Sequence, residues 1–483
     1  MNQIKLLLLA GVIIWSGSAI AQNPAVTAQG QHIFGPATPA DFSKWIADMK
    51  RWRMEYLKRL GYDDREYRRP ELQWTQSSYM QPQMMVEDRY FYDPVLRKYT
   101  VDRYLEDLEK RYGGIDSVLI WPVYPNIGVD NRNQFDCFRD IPGGVAALRQ
   151  MVSDFHRRNV RVLFPVMLWD QGARQEDRNE CDVLAANLAS IGADGVNGDT
   201  MNVVPYVYRT ASDKTGHPLA FEPEHLQVDI GLAYNNMDWG QAVLPPGPAG
   251  RNAPLVAKYK WLEPRHMTHI SDRWQRDKNT DLQYAFFNGV GMETWENIWG
   301  IWNEMTPRDS ETVRRIAHIE RQFTGLLNSL DWEPYTPAPM QSGIYSSKFP
   351  GKQQILWTII NKNEFDVSGK QMRVSHQAGR KYYDLWHGVE LTPEIKDGQA
   401  LLSFLMEHDG FGALLAIDAQ SAGSEGDSYP VGASPESTPP LFVPAPGETR
   451  SSREARVRHR RQRQSDTCRA LRAAACRNAS KTH

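Results

Sequence analysis

Carboxylates and indoles recur in this chain at the ends of short apolar runs. Asp199 closes GADGVNGD, Glu222 and Glu224 close PLAFEPEH, Glu263 and Arg265 close KYKWLEPR, and Asn288, Glu293 and Trp295 follow one another in FFNGVGMETW. Upstream, Trp121, Tyr124 and Asn126 end DSVLIWPVYPN, and Trp169 with Asp170 ends VRVLFPVMLWD. Gathered in one cleft, these residues supply what cleavage of a glycosidic bond requires. One carboxylic acid protonates the leaving oxygen, while a second carboxylate attacks the anomeric carbon or activates a water. Indole faces stack on the C–H faces of sugar rings, and Asn and Arg bind hydroxyls. No His pair or Cys cluster of metal spacing occurs, nor a phosphate-cradling glycine loop, nor a Gly-x-Ser-x-Gly elbow, so no metal and no cofactor is expected.

The segments between these residues must hold them together. Helical spacing of Phe42, Trp45, Ile46, Met49, Trp52 and Tyr56 predicts a helix over about 38–60. From 71 onward, strand-like and helix-like segments alternate. The strand-like ones are ELQWTQSSY, DSVLIWPVYP, VRVLFPVMLWD, GADGVNGD, PLAFEPEH, KYKWLEP and QYAFFNG. Helices are expected in YTVDRYLEDLEKRYG, GGVAALRQMVSDFHRRN, 177–191, 204–212 and 266–274. Seven beats of this kind predict an α/β fold, a (β/α)8 TIM barrel with its active site at the C-terminal ends of the strands, although the eighth strand has no clear place. After a long helix beyond Pro307, short strand-like pieces from Pro339 to Ala419 predict a C-terminal all-β sandwich domain. The expected division is a signal peptide over 1–21, an N-terminal helical segment over 22–70, the barrel over 71–335 and the sandwich over 336–420. A Pro/Ser/Gly-rich linker over 421–448 and a basic tail over 449–483, disordered or out of frame, complete it.

The run from GGIDSVLIWPVYPNIG through DIPGGVAALRQMVSDFHRRNVRVLFPVMLWDQGAR to GADGVNGDTM resembles the second to fourth strand units of the α-amylase-like and α-galactosidase-like glycoside hydrolase barrels. The resemblance covers about a quarter of the chain, and the β-rich segment after the barrel is similar to their C-terminal domain. It implies that Asp199 is the nucleophile. An amylase-type relative would carry its acid at the end of strand five, which points to Glu222 or Glu224, and an α-galactosidase-type relative on strand six, which points to Glu263. Asn197 stands where the amylases carry an arginine, and FFNGVGMETWEN replaces their Asn-His-Asp triplet. The assignment adopted is Asp199 as nucleophile, Glu263 or Glu222 as acid, and Trp121, Tyr124, Trp169 and Trp295 as sugar platforms. Asn126, Asp170, Glu224, Arg265, Asn288 and Glu293 are further substrate contacts, and retention of configuration is expected. Asp194 reads as a turn or cap residue, Asp199 and Glu263 could themselves cap following helices, and Asp130, Asn131 and Asn133 read as a turn.

Composition agrees with a carbohydrate partner. The net charge of -2 gives no footprint for nucleic acid, and 15 Trp and 20 Tyr exceed what core packing needs. The basic run RVRHRRQRQ reads as part of the tail. A lysine, the apolar run Leu6–Trp15 and small residues ending at Ala21 read as a secretory signal too short for stable membrane insertion, so a secreted or periplasmic protein is expected. In that oxidising setting Cys137 and Cys181 could pair if their loops meet. Two other readings stand beside the hydrolase. One is a glycan-binding protein on a barrel that lost its acid pair, and the other is a carbohydrate-targeting module of a longer protein. The sequence leaves the sugar, the linkage and the oligomeric state open.

Overall fold

A computed structural model describes residues 32–122, 127–170, 174–225, 228–241, 253–271, 278–295 and 305–419. The expected signal peptide, linker and tail lie outside the described residues, as do Tyr124 and Asn126. Eight parallel strands form the central sheet: β1 (Met80–Met85), β2 (Ser117–Trp121), β3 (Arg161–Met167), β4 (Gly195–Asp199), β5 (Ala220–Pro223), β6 (Met237–Gln241), β7 (Met267–Ser271) and β8 (Gly291–Trp295). Hydrogen-bonded ladders run from β5 back through β4, β3, β2 and β1, and on through β8 and β7 to β6. The sheet therefore closes into a (β/α)8 barrel with one seam, where β5 and β6 lie side by side without a ladder.

Helices on the outside separate most of the strands. They are α1 (Phe42–Leu60), α2 (Val101–Tyr112), α3 (Gln134–Arg139), α4 (Gly144–Arg157), α5 (Glu180–Ile191), α6 (Tyr206–Lys214), α7 (Lys258–Leu262), α8 (Asn279–Asn288) and α9 (Pro307–Gln322). Between β5 and β6 a 3-10 turn, Asp229–Ala233, stands where a helix would be.

Two side-chain devices span the seam. On its outer side the fully buried Arg209 of α6 donates to the carbonyls of Leu219, before β5, and Tyr234, before β6, and to Asn236 Oδ1 at 3.2 Å; Glu66 lies 3.2 Å from its Nε. Inside, Glu222 Oε1 of β5 lies 2.6 Å from His269 Nδ1 of β7, reaching past β6. The ring's Nε2 meets the Ser78 carbonyl at 2.6 Å. Both neighbours of this imidazole are oxygens, so a proton is held between Glu222 and His269 as well as on Nε2. Gly291 on β8 makes room for the ring, since a Cβ there would sit 2.7 Å from His269 Cδ2.

Strand register places Gln81, Gln83, Ser117, Asn197, Glu222, His269 and Glu293 on one face of the sheet. The Glu222–His269 bond crosses between non-adjacent strands, so that face is the lumen. Barrel interiors are ordinarily filled by branched apolar side chains. This one is polar.

Beyond α10 (Thr324–Leu327) come β9 (Glu333–Pro334), β10 (Ile344–Pro350), β11 (Gln354–Asn361), β12 (Lys370–Ser375), β13 (Lys381–Asp384), β14 (Val389–Leu391), β15 (Glu394–Lys396), β16 (Gln399–Ser403) and β17 (Phe411–Ile417). Six of them pair in the order β9-β10-β11-β17-β13-β14, and β12-β16-β15 form a second antiparallel sheet. Trp357, Ile359, Met372, Val374, Leu402 and Leu414 pack between the two sheets as a sandwich core. The opposite face of the larger sheet, with Leu356, Ile360, Phe411 and Leu415, belongs to the barrel's own core. Trp386 packs there too, against Phe286 of α8 and Phe411. Both faces of β11 are thus buried, which is why QILWTIIN is apolar without alternation.

Four sequence expectations change. ELQWTQSSY is largely a 3-10 helix, Pro70–Ser77, and the first strand is MQPQMM, whose glutamines face the lumen and whose Pro82 hides the strand pattern. KYKWL is helix α7 and QYAFFN is the end of helix α8; every residue of α7 and nearly every one of α8 is buried, which removes the one-sided pattern that marks a helix. Residues 267–271, expected in a helix, form β7. The missing eighth strand is Gly291–Trp295. Cys137 and Cys181 are free buried thiols.

If Arg209 closes the seam, Arg209→Met leaves the Leu219 and Tyr234 carbonyls without this donor and removes one of the two guanidinium groups beside Glu66, which keeps Arg69. Urea unfolding should show a loss of about 3–5 kcal/mol; a loss below about 1 kcal/mol would mean that the seam is held by other contacts.

Candidate active site

Asp199 ends β4, and the backbone leaves the strand through Thr200 in the left-handed region at φ +60. A β-branched residue rarely adopts that conformation. It is held by the Thr200 N–H, which donates to Glu224 Oε2 at 2.6 Å, while the N–H groups of Met201 and Glu224 both donate to the Gly198 carbonyl. Any Cβ at Gly198 would meet Met201 Sδ and Val204 Cγ2 at 2.8 Å, so the turn can be this tight only with glycine. Glu224, one residue beyond β5, thereby reaches the end of β4, where its carboxyl and that of Asp199 share a hydrogen bond.

Both carboxyls are 5% exposed. Burial pushes Asp199 up to about 7, the Glu224 carboxyl adds to the rise, and Trp169 Nε1, donating to Asp199 Oδ2 at 2.7 Å, opposes it. Trp169 itself is 42% exposed, an indole with one edge on the acid and its body toward solvent.

Beneath this pair the lumen carries Glu293, whose carboxyl burial pushes well above the usual range, with repulsion from Glu222 and Glu224 adding to it. Trp121 donates to Gln83 Oε1 at 2.7 Å and Trp295 to Ser271 Oγ at 2.9 Å, so both indoles are buried with their N–H groups engaged. Trp239 of β6 packs against Trp295 with ring centroids 6.0 Å apart. Asp170 accepts the Gln134 N–H at 2.6 Å at the start of α3.

The remaining sequence candidates are elsewhere. Glu263 and Arg265 lie between α7 and the N-terminal end of β7, the floor of the barrel rather than its mouth. Burial opposes charge on Glu263, but hydrogen bonds from Arg265 and from Tyr62 at 2.6 Å outweigh it and hold the carboxyl below the usual range. Asn288 ends α8 on the same side, accepting from the Ala257 N–H and donating to the Leu255 and Tyr284 carbonyls. Asp194, before β4, is clamped by His156, Arg161 and the Val162 N–H. Asp130 pairs with Arg132, and Asn133 caps α3. Among the described residues, no group of His, Cys, Asp and Glu has metal-site geometry. Sequence reasoning passed over His269, Trp239, Gln81 and Gln83, because the strands that carry the last three did not read as strands and β7 read as a helix.

No family model matches this chain, and no curated protein matches it. Among solved structures it is similar to an α-amylase from Anoxybacillus, with a TM-score of 0.49 and 10% identity over 71% of this chain and 98% of that one. It is also similar to an α-amylase from Geobacillus thermoleovorans crystallised with acarbose, with a TM-score of 0.48 and 10% identity over 71% and 99%. A debranching enzyme from Nostoc punctiforme gives a TM-score of 0.47 and 11% identity over 71% and 98%. At this degree of likeness the chemistry has to be read from the site's own geometry.

A carboxyl raised from 3.8 to about 7 on folding favours the native state in full below about pH 4 and loses that contribution as the pH rises through 7. Asp199→Asn, which keeps the neutral form, should flatten this fall and exceed the wild type at pH 8 by on the order of 3 kcal/mol. Thermal melts from pH 5 to pH 8 read it, and parallel profiles for the two proteins would refute the raised value.

Proposed function

We propose that this chain is an exported glycoside hydrolase in which Asp199 and Glu224 are the reacting carboxyl pair. The observation that carries the reading is their shared hydrogen bond at the ends of adjacent strands, at the barrel's C-terminal mouth, beneath a half-exposed indole. In this proposal Asp199 attacks the anomeric carbon as Glu224 delivers a proton to the departing oxygen, giving a glycosyl ester. Glu224 then takes a proton from water, which hydrolyses the ester and restores both groups. The Trp169 N–H favours the charged form of Asp199, the form in which it attacks.

Carboxyls in hydrogen-bond contact lie close to the roughly 5–5.5 Å separation of retaining enzymes and leave no room for the water that an inverting pair holds at roughly 6.5–9.5 Å. That supports retention. Glu224 replaces Glu263 and Glu222 as the proposed acid, because Glu263 is at the floor and Glu222 is engaged by His269. Export rests on the N-terminal segment alone.

A non-catalytic glycan-binding protein is the competing reading. It is favoured by Asn197, whose amide donates to the Glu222 carbonyl.

Hydrolysis of a panel of aryl glycosides, followed by proton NMR of the newly formed anomer, tests the proposal. Asp199→Asn and Glu224→Gln should each lower kcat by about a thousandfold or more, and the first-formed product should keep the substrate's configuration. Wild-type rates should change with pH about pH 7, where the Asp199 carboxyl, pushed up to about 7, titrates. Glu263→Gln should cost stability and leave kcat nearly unchanged. Turnover that survives both Asp199→Asn and Glu224→Gln would remove this pair from the mechanism.

A further inference from the structure

Trp169 sits on a turn, and one buried side chain holds that turn at both ends. The turn runs from Met167, the last residue of β3, to Asp170, whose N–H donates back to the Met167 carbonyl at 3.1 Å. The two residues at its tip, Leu168 and Trp169, are half-exposed. Gln134, buried at the start of α3, meets both ends. Its Oε1 accepts the Met167 N–H at 3.0 Å, its Nε2 donates to the Met167 carbonyl at 2.8 Å, and its own N–H donates to Asp170 Oδ2 at 2.6 Å.

The ladders of β3 explain why a side chain is used here. On the β4 side β3 stays paired as far as Met167, opposite Asp199. On the β2 side the pairing stops at Leu163, opposite Leu119. Buried backbone groups beyond that point still require partners. A side-chain amide offers a donor and an acceptor, as a peptide unit does, so Gln134 takes the place of the missing length of β2. Glu180 of α5 fixes which way the amide faces. Nε2 also donates to Glu180 Oε1 at 3.0 Å, and a reversed amide would set its oxygen against two acceptors. The backbone beneath is held by Asn133, whose Oδ1 accepts the N–H groups of Phe135 and Asp136.

Resting on the hydrolase reading, we infer that Gln134 is a positioning residue of the active site, anchoring the turn that carries Trp169 and so aiming the indole N–H at Asp199. Its hydrogen bonds go to Met167, Asp170 and Glu180 and none to the carboxyl pair, so it acts through the indole. Without it both ends of the turn lose a partner, and the 2.7 Å bond to Asp199 Oδ2 is no longer enforced.

A proton–nitrogen correlation spectrum of the full chain tests this through its indole N–H signals, that of Trp169 being assigned by its loss in Trp169→Phe. Gln134→Met, similar in length but without the amide, should displace the Trp169 signal. It should leave in place the signal of Trp332, whose N–H is bonded to Ser347 Oγ far along the chain. In an active wild type, Gln134→Met should lower kcat for an aryl glycoside about tenfold, and Trp169→Phe should lose nothing further when Gln134→Met is added to it. Gln134→Asn, neutral and one methylene short of both ends, is read in the same way if Gln134→Met fails to fold. A Trp169 signal that stays in place in the folded variant, an unchanged kcat, or losses that multiply in the double variant would overturn the inference. Failure of the hydrolase reading shows separately, as a wild type without turnover, and the indole signal then decides the anchoring alone.

Discussion

The structure depends on one hydrogen bond that crosses the inside of the barrel, from Glu222 on the fifth strand to His269 on the seventh. Backbone ladders hold every neighbouring pair of strands except the fifth and sixth, and this contact, with Arg209 on the outer side, carries the chain across that break. An ionisable pair buried this deeply is costly unless its geometry is good, and here both ring nitrogens are engaged. Its demands spread outward. Gly291 must lack a side chain to leave space for the imidazole, and Glu222, once engaged, cannot turn up toward the mouth. Glu224, two residues on, is then the acid of the fifth strand that reaches Asp199.

That division of labour explains why two glutamates separated only by Pro223 behave so differently. Alternation along a strand would send residues 222 and 224 the same way. The strand, however, ends at Pro223, and the Glu224 N–H turns back to the Gly198 carbonyl. One carboxyl closes the barrel and the other meets Asp199.

Sequence patterning made the first half of the barrel legible and left the second half out of phase. Strands β2, β3 and β4 each advertise themselves by apolar runs, and β5 by its position after a helix, so Asp199, Glu222 and Glu224 were placed at strand ends from residues alone. Past Glu224 the signals fail for physical reasons. β6 is MDWGQ, short and without an apolar run. α7 is buried throughout and α8 almost throughout, so neither shows the polar face that identifies a helix. Reading these helices as strands shifts the pattern by half a unit, and half a unit turns a barrel end for end. That is how Glu263, a floor residue locked to Arg265 and Tyr62, came to look like a rim acid. The pairing of Asp199 with Glu224 was beyond reach for another reason: it arises from the reversal at Thr200 and Gly198, a matter of backbone angles that leaves no periodic trace.

The sandwich that follows the barrel looks like a separate domain in the sequence, set off by a change of texture near Pro339. Its larger sheet nevertheless supplies the outer wall of α8. Gln283 of that helix donates to the Asn361 and Gly410 carbonyls, and Phe286 packs against both Trp386 and Phe411, which stack on each other. A barrel helix this apolar has no stable existence facing water. Cutting the chain where the sequence changes character would therefore bare a barrel helix that the larger sheet covers.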